Sequence, residues 1–266
     1  MTIHATAIVD PGAKIGTAVE IGPYSVIGPG AVIGDNTRLQ SHVVLEGSVR
    51  IGARNLIGHG AVIGGPPQDL SFDPDRKTGV EIGDDNVVRE YCTIHRGTAE
   101  GTSTRIGNNN FLMVGVHLGH NCEIGNKVII ANNCLLAGYV TVHDCAFLGG
   151  GSLFHQFMRI GRFVMVQGGS AFGKDLPPFV LAAERNYVFG LNVVGLRRAG
   201  LKAKDRDEIK AAFRLIYTSG LNISQALEKA AGMNLGPLGQ EFLEFVRSAK
   251  RSICPYKRGE SEEESV

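Results

Sequence analysis

The sequence predicts a mainly β protein, a long stacked solenoid of short strands followed by a small C-terminal α-helical domain. Three observations predict it. Aliphatic residues recur at every sixth position, a glycine often follows them, and a helical period sets in only from about Leu201. A helix would space apolar residues by three and four, and an ordinary strand would alternate by two. A period of six with glycine punctuation therefore reads as short strands joined by tight corners and stacked turn on turn.

The elements follow in chain order. The first run takes in Ile3, Val9, Ile15, Ile21, Ile27, Ile33, Leu39, Leu45, Ile51, Ile57 and Ile63 without a slip. "GGPPQDLSFDPDRKTGVE" interrupts it, Ile82, Val88 and Ile94 resume it, and "HRGTAEGTSTR" interrupts it again. From Ile106 the register holds unbroken to Val166. The two interruptions are expected to be loops near residues 65–80 and 95–105. After Val166 the register is expected to dissolve, with Pro177 and Pro178 marking the change and an exit strand closing a solenoid domain at residues 1–189. Residues 190–254 are assigned to the helical domain. There, "KDRDEIKAAFRLIYTSG" puts Ile209, Phe213, Ile216 and Tyr217 on one face ahead of Gly220, and "SQALEKAAG" and "LGQEFLEFVRSAKRSIC" supply two more helices. Residues 255–266 read as a disordered acidic tail.

Composition narrows the function classes. The 36 glycines are about double the usual share, which points to many tight turns. The formal charge is +1, but Glu260, Glu262, Glu263 and Glu264 all sit in the tail, so residues 1–259 carry 27 basic against 22 acidic groups, a net of +5. That balance suits an acidic partner or a phosphate-bearing ligand and falls well short of a nucleic-acid binder. Five cysteines, without a CxxC pair, argue against a disulfide framework and a thiolate zinc site. The start, "MTIHATAIVDPG", lacks a secretory leader, and no stretch of some eighteen apolar residues occurs, so a soluble, cytoplasmic protein without a transmembrane segment is expected.

Hexads of this kind resemble the hexapeptide-repeat acyltransferases. That resemblance implies three hexads to a turn, a left-handed parallel β-helix, and a homotrimer with active sites between neighbouring subunits. Left-handed winding runs against the usual crossover rule for parallel strands. With eighteen residues to a turn, residues eighteen apart stack at roughly the strand spacing, about 4.8 Å. His120, Gly138 and Gln156 then form one column, and Asn121, Tyr139 and Phe157 the next, with His155 and His117 beside them. Polar groups converge on one edge, whereas His4, His42, His59 and His143 lack such company.

Longer stretches are more specific: "IGPYSVIGPGAVIG", "SHVVLEG", "PPQDL", "TIHRGT", "HLGHNCEIGN", "LAGYVTV", "HQFMRIG", "DLPPFV" and "FGLNVVGLRRAG". Nearly the whole chain up to the tail resembles the UDP-N-acetylglucosamine O-acyltransferases that open lipid A biosynthesis. The resemblance implies transfer of an R-3-hydroxyacyl group from acyl carrier protein to the 3-hydroxyl of UDP-N-acetylglucosamine, with no metal or other cofactor. It implies His120 as general base, followed by Asn121, and Gly138 as the backbone donor to the oxyanion. Gln68, Asp69, His95, His117, Tyr139, His155 and Gln156 match positions that bind substrate or shape the cleft. Gly168 matches the position that limits acyl length, glycine leaving room for a medium-long chain. Asn192 and Arg198 match nucleotide contacts. Lys202, Lys204, Arg206, Lys210 and Arg214 would then dock the acidic carrier protein. The related N-acyltransferase has an extra N-terminal uridine-binding domain, for which hexads starting at Ile3 leave no room.

Some positions depart from the family pattern. Asn121 stands where aspartate is common, Tyr139 where histidine is common, Val194 for an acidic residue and Ala199 for a second basic one. These departures raise an alternative acceptor, the 3-amino analogue of the sugar nucleotide, which would yield an amide. Two other classes compete. A γ-type carbonic anhydrase would hold zinc with three histidines across an interface, but spaces its second and third histidines five apart and lacks this helical tail. A purely structural solenoid would leave the polar column, the "PPQDL" loop and the basic helix unexplained.

Overall fold

The computed structural model describes residues 1–258; the remaining tail residues, 259–266, on which the expectation of disorder mainly falls, lie outside the described residues. Each hexad forms a two-residue strand whose aliphatic member points inward. Thr2–Ile3, Ile8–Val9 and Lys14–Ile15 complete one turn, and the fourth strand, Glu20–Ile21, pairs in parallel with the first, Thr2 opposite Glu20 and Ile3 opposite Ile21. Eighteen residues therefore make a turn. Stacking produces a left-handed parallel β-helix with three faces. The first face, begun by Thr2–Ile3, has eleven strands; the second, begun by Ile8–Val9, has nine; the third, begun by Lys14–Ile15, has eight. Ile27, Ile33, Leu45, Ile57, Leu112 and Leu136 fill the interior at 2% exposure or less. Each such side chain contributes about 1.5–3 kcal/mol relative to leaving it in water.

At the corners, the third residue after the inward aliphatic takes a left-handed conformation, as at Asn36, His42, Asn121, Tyr139 and Phe157. For a residue other than glycine this costs about 1–2 kcal/mol. The corner offsets it with a hydrogen bond to the turn beneath, Tyr139 N–H to His120 O at 2.9 Å and Phe157 N–H to Gly138 O at 3.0 Å. Glycine content thus has a different cause from the one composition suggests. Gly22 and Gly34, next after the aliphatic residue, are not left-handed; a Cβ on Gly34 would lie 2.5 Å from the Gly52 carbonyl carbon. These glycines let stacked turns touch.

Pairing closes across both interruptions. Val62 opposes Thr93, thirty-one residues on, and Ile94 opposes Leu118, twenty-four on. Loops with thirteen and six extra residues therefore leave and rejoin one edge, between the second and third faces. The register also outlasts Val166, contrary to expectation. Phe172 stacks on Phe154 with ring centroids 5.8 Å apart, an aromatic residue holding the inward position.

Four helices follow: α1 (Val193–Arg198), α2 (Ala203–Tyr217), α3 (Ile223–Ala230) and α4 (Pro237–Arg247). Ile209, Phe213 and Ile216 are buried as their spacing requires, with Phe213 against Phe242 of α4. The short α1 has too few residues to show a period and was not anticipated. Nor does α4 continue to Cys254; the chain leaves the helix and Cys254 N–H donates to Asp175 O at 2.9 Å. Residues 255–258, placed by sequence in the tail, lie against the strand Tyr187–Leu191. Tyr256 bridges Val188 and its ring meets Phe213, which gives this stretch an apolar anchor. Among the described residues no helix is long and apolar enough to cross a membrane.

Candidate active site

The site forms where the corner ladder is interrupted. Beneath His120 and Asn121 the chain departs into a loop, so the Asn121 N–H has no corner carbonyl to meet. It donates instead to Thr104 Oγ1 at 2.8 Å, whose hydroxyl donates to His95 O at 2.7 Å. Beside this edge opens a cleft of about 630 Å³. Leu135, Leu153, Phe154 and Phe172 make its wall apolar, while Gln68, His95, His117, His120, Gly138, His155 and Gln156 line the polar part.

Hydrogen bonding determines the tautomer of His120. The Thr98 N–H donates to the Asn121 side chain at 3.0 Å, and because a backbone N–H has nothing to accept with, the atom facing it must be Oδ1. The same Oδ1 lies 3.1 Å from His120 Nδ1. Nδ1 therefore carries the ring proton, and Nε2 is left as the acceptor. The imidazole lies directly on Gly138: a Cβ there would come within 2.3 Å of His120 Cε1 and 2.5 Å of Nε2. Among the described residues no protein acceptor receives the Gly138 N–H.

Two further histidines are held neutral. His117 bonds Thr93 Oγ1 through Nδ1 at 2.7 Å and meets His95 edge-on, centroids 4.8 Å apart. Burial, with the His95 charge second, pushes His117 down to about 4. Burial likewise lowers His95, with a smaller effect from His120. The exposed Asp69 carboxylate accepts the Ser71 N–H at 2.9 Å and its hydroxyl at 2.8 Å, and these bonds hold it below the usual carboxylate range. Among the described residues no group of three His, Cys, Asp or Glu side chains is placed to hold a metal ion.

The residues singled out by sequence do not all converge within one chain. Gln68, His95, His117, His120, Gly138, His155 and Gln156 do. Asn121 stands behind His120, and Tyr139 turns its ring between Phe157, stacked at 4.7 Å, and His120, edge-on at 5.2 Å. Gly168 belongs to a corner between the first and second faces, outside the cleft lining. Asn192 caps α1, its Oδ1 accepting from Gly195 N–H at 3.0 Å, and Arg198 ends that helix exposed; neither lines the cleft. Sequence reasoning missed Thr98, although it lies inside "TIHRGT". It also missed Arg251, which donates to Gln156 O and stands 3.2 Å from His155 Nδ1. No period or motif marks Arg251, because the stretch it occupies reads as helix.

Comparison with known proteins agrees with this geometry. A family model described as UDP N-acetylglucosamine O-acyltransferase, domain 2, matches residues 175–254, and the bacterial transferase hexapeptide (six repeats) model matches residues 1–35, 30–65 and 103–138. The acyl-[acyl-carrier-protein]–UDP-N-acetylglucosamine O-acyltransferase of Thermodesulfovibrio yellowstonii is 43% identical over 256 residues, 95% of this chain and 98% of that one. A crystal structure of a UDP-N-acetylglucosamine acyltransferase from Bacteroides fragilis is 42% identical with a TM-score of 0.89, covering 95% of this chain and 99% of that one. The corresponding structure from Francisella novicida is 35% identical with a TM-score of 0.91, covering 98% and 96%.

Proposed function

The chain belongs to the acyl-[acyl-carrier-protein]–UDP-N-acetylglucosamine O-acyltransferase family, and on that premise we propose that its cleft transfers an R-3-hydroxyacyl group from acyl carrier protein to the 3-hydroxyl of UDP-N-acetylglucosamine, opening lipid A biosynthesis. His120 Nε2 takes the hydroxyl proton as the sugar oxygen bonds the thioester carbonyl carbon. The oxyanion that results accepts the Gly138 N–H. On collapse the C–S bond breaks, and the imidazolium proton passes to the departing thiolate, returning the enzyme to its starting state. A positioned base is worth about 10²–10⁴ in rate, and one oxyanion donor about 2.7–4 kcal/mol. The observation that carries this reading is the placement of an imidazole with Nε2 as acceptor over a glycine whose N–H is unclaimed, beside an apolar wall suited to an acyl chain.

Part of the assignment reaches beyond one chain. A homotrimer is supported by the outward side of the second face, where Ile8, Val26, Leu135 and Leu153 stand 40–66% exposed, while Lys14, Arg50, Glu81, Arg105 and Glu123 point outward on the third. Burying the second face against another copy accounts for Gly168, Asn192 and Arg198 acting at a cleft they do not line alone. The carrier protein would meet α2, where Arg197, Arg206, Lys210, Arg214 and Arg258 surround a pocket of about 550 Å³. Cytoplasmic placement is consistent with five free cysteines, four of them buried. The relatives are named O-acyltransferases, which does not favour the amide-forming alternative, and nothing in the comparisons favours the carbonic anhydrase reading.

The test offers purified protein 3-hydroxytetradecanoyl carrier protein with UDP-N-acetylglucosamine or its 3-amino analogue, beside His120→Ala. Turnover of the ordinary sugar, reduced at least about a hundredfold in the variant, is expected. Turnover of the amine alone would restore the alternative acceptor, and turnover of neither would sink the reading.

A further inference from the structure

The departures at residues 121 and 139 form one hydrogen-bonded device with a residue of the second loop. We propose that Thr98 and Tyr139 are positioning residues which, acting through Asn121, hold the His120 imidazole in its Nδ1-protonated form over Gly138. This rests on the acyl-transfer reading of the cleft and reassigns Tyr139, which sequence had placed among substrate contacts.

The proton count leaves the network one arrangement. Asn121 Oδ1 accepts the Thr98 N–H at 3.0 Å, the Thr98 hydroxyl at 3.0 Å and His120 Nδ1–H at 3.1 Å. With the Thr98 proton committed to Asn121, the Thr98 oxygen is an acceptor for Tyr139 Oη, 3.0 Å away, so Tyr139 donates. Donors thus run from Tyr139 to Thr98 to Asn121, and from His120 to the same carbonyl. Little can rearrange. Asn121 is 9% exposed, its backbone is left-handed, and its N–H is tied to Thr104, while the Tyr139 ring is fixed by Phe157 and His120. Every atom in this arrangement is neutral, so it orients the base by geometry and not by an ion pair. Were Asn121 to flip, its Nδ2 would face Nδ1 and draw the ring toward the Nε2–H form, which has no acceptor to offer the sugar hydroxyl.

Two readouts separate the network from the reaction. In protein labelled with ¹⁵N-histidine, the wild-type His120 spectrum should show the Nδ1–H tautomer, and Thr98→Val and Tyr139→Phe should each yield a tautomer mixture. In kinetics, Thr98→Val should lower kcat about tenfold with the KM for the sugar nucleotide held within about twofold, Tyr139→Phe should do the same to a lesser degree, and Thr98→Ser should restore the wild type. Asn121→Asp, which keeps all three donors and adds a charge, should move the acid limb of the kcat/KM profile to higher pH. An Nε2–H tautomer in the wild type would overturn the proposal, as would a Tyr139→Phe variant whose KM rises with kcat unchanged. A wild type that turns over neither acceptor would sink the acyl-transfer reading, while the tautomer spectra would still decide the network.

Discussion

Gly138→Ala should abolish most activity while leaving the fold intact. Its Cβ would lie 2.3 Å from His120 Cε1, 2.5 Å from Nε2 and 2.9 Å from Nδ1. Carbon atoms in contact sit about 3.5–4.0 Å apart, so the ring must withdraw by more than about 1 Å. It has little freedom to do so. Nδ1 is bonded to Asn121 at 3.1 Å, and the ring edge meets Tyr139. Withdrawal therefore breaks the bond that fixes the tautomer and moves Nε2 away from the hydroxyl it must deprotonate, a misplacement worth about a hundredfold in kcat. The cost to stability should be small. Gly138 does not occupy the left-handed region, and the three nearest atoms all belong to one side chain at the cleft. A melting temperature within about 4 °C of the wild type is expected. The assay is kcat at saturating acyl carrier protein and sugar nucleotide, beside a calorimetric melt. Activity within threefold of the wild type would show that the imidazole does not rest on Gly138 during turnover. A large fall in melting temperature would show that the glycine serves the stack and not the site.

Two other predictions concern stability. Arg159 bonds Asp175 through Nε at 2.9 Å, Ser248 Oγ at 3.1 Å and Phe245 O at 3.0 Å, tying the last full turn of the solenoid to α4, and the Asp175 side chain is 2% exposed. Arg159→Met, which strands that carboxylate, should cost about 3–5 kcal/mol by urea unfolding, and adding Asp175→Asn should recover much of it; no recovery would exonerate the buried charge. His117 has a folded value of about 4 against 6.5 ordinarily. Between those values the unfolded chain binds a proton that the fold refuses, so stability falls as pH drops from 6.5 toward 4 and is unaffected by this group above that window. His117→Gln should flatten the urea midpoint across that range, and an unchanged slope would assign the loss to other groups.

What the sequence makes legible depends on whether a feature is periodic. Ile3 to Ile63 can be read because one side chain per hexad must enter the core, and parallel register at eighteen residues turns sequence distance into height. His120, Gly138 and Gln156 could be aligned by counting. Thr98 could not, since its loop has no period and its hydroxyl matters only because a corner is missing beneath Asn121. Phe172 escaped notice as an aromatic in an aliphatic place, and the α1 turn was too short to show a helical face.

The same counting explains why chemistry resides on this edge and not on its neighbour. Two residues after each inward aliphatic, the corner N–H points up the stack. Between the third and first faces an Asn or Asp of the next turn receives it, Asn108 N–H going to Asn126 Oδ1 at 2.8 Å and Asn126 N–H to Asp144 Oδ1 at 2.7 Å. Such an edge satisfies itself and has nothing to offer a ligand. On the other edge the equivalent positions are His120, Gly138 and Gln156, and glycine at 138 removes the side chain that would have received the N–H of His120. Among the described residues neither His120 nor Gly138 has a protein acceptor for its N–H. One residue thus makes room for the imidazole and leaves its own amide available to a developing negative charge, while the neighbouring loop supplies the hydroxyl that steadies Asn121. The repeat builds the stack by meeting every backbone group internally, and a reaction becomes possible at the edge where that rule lapses.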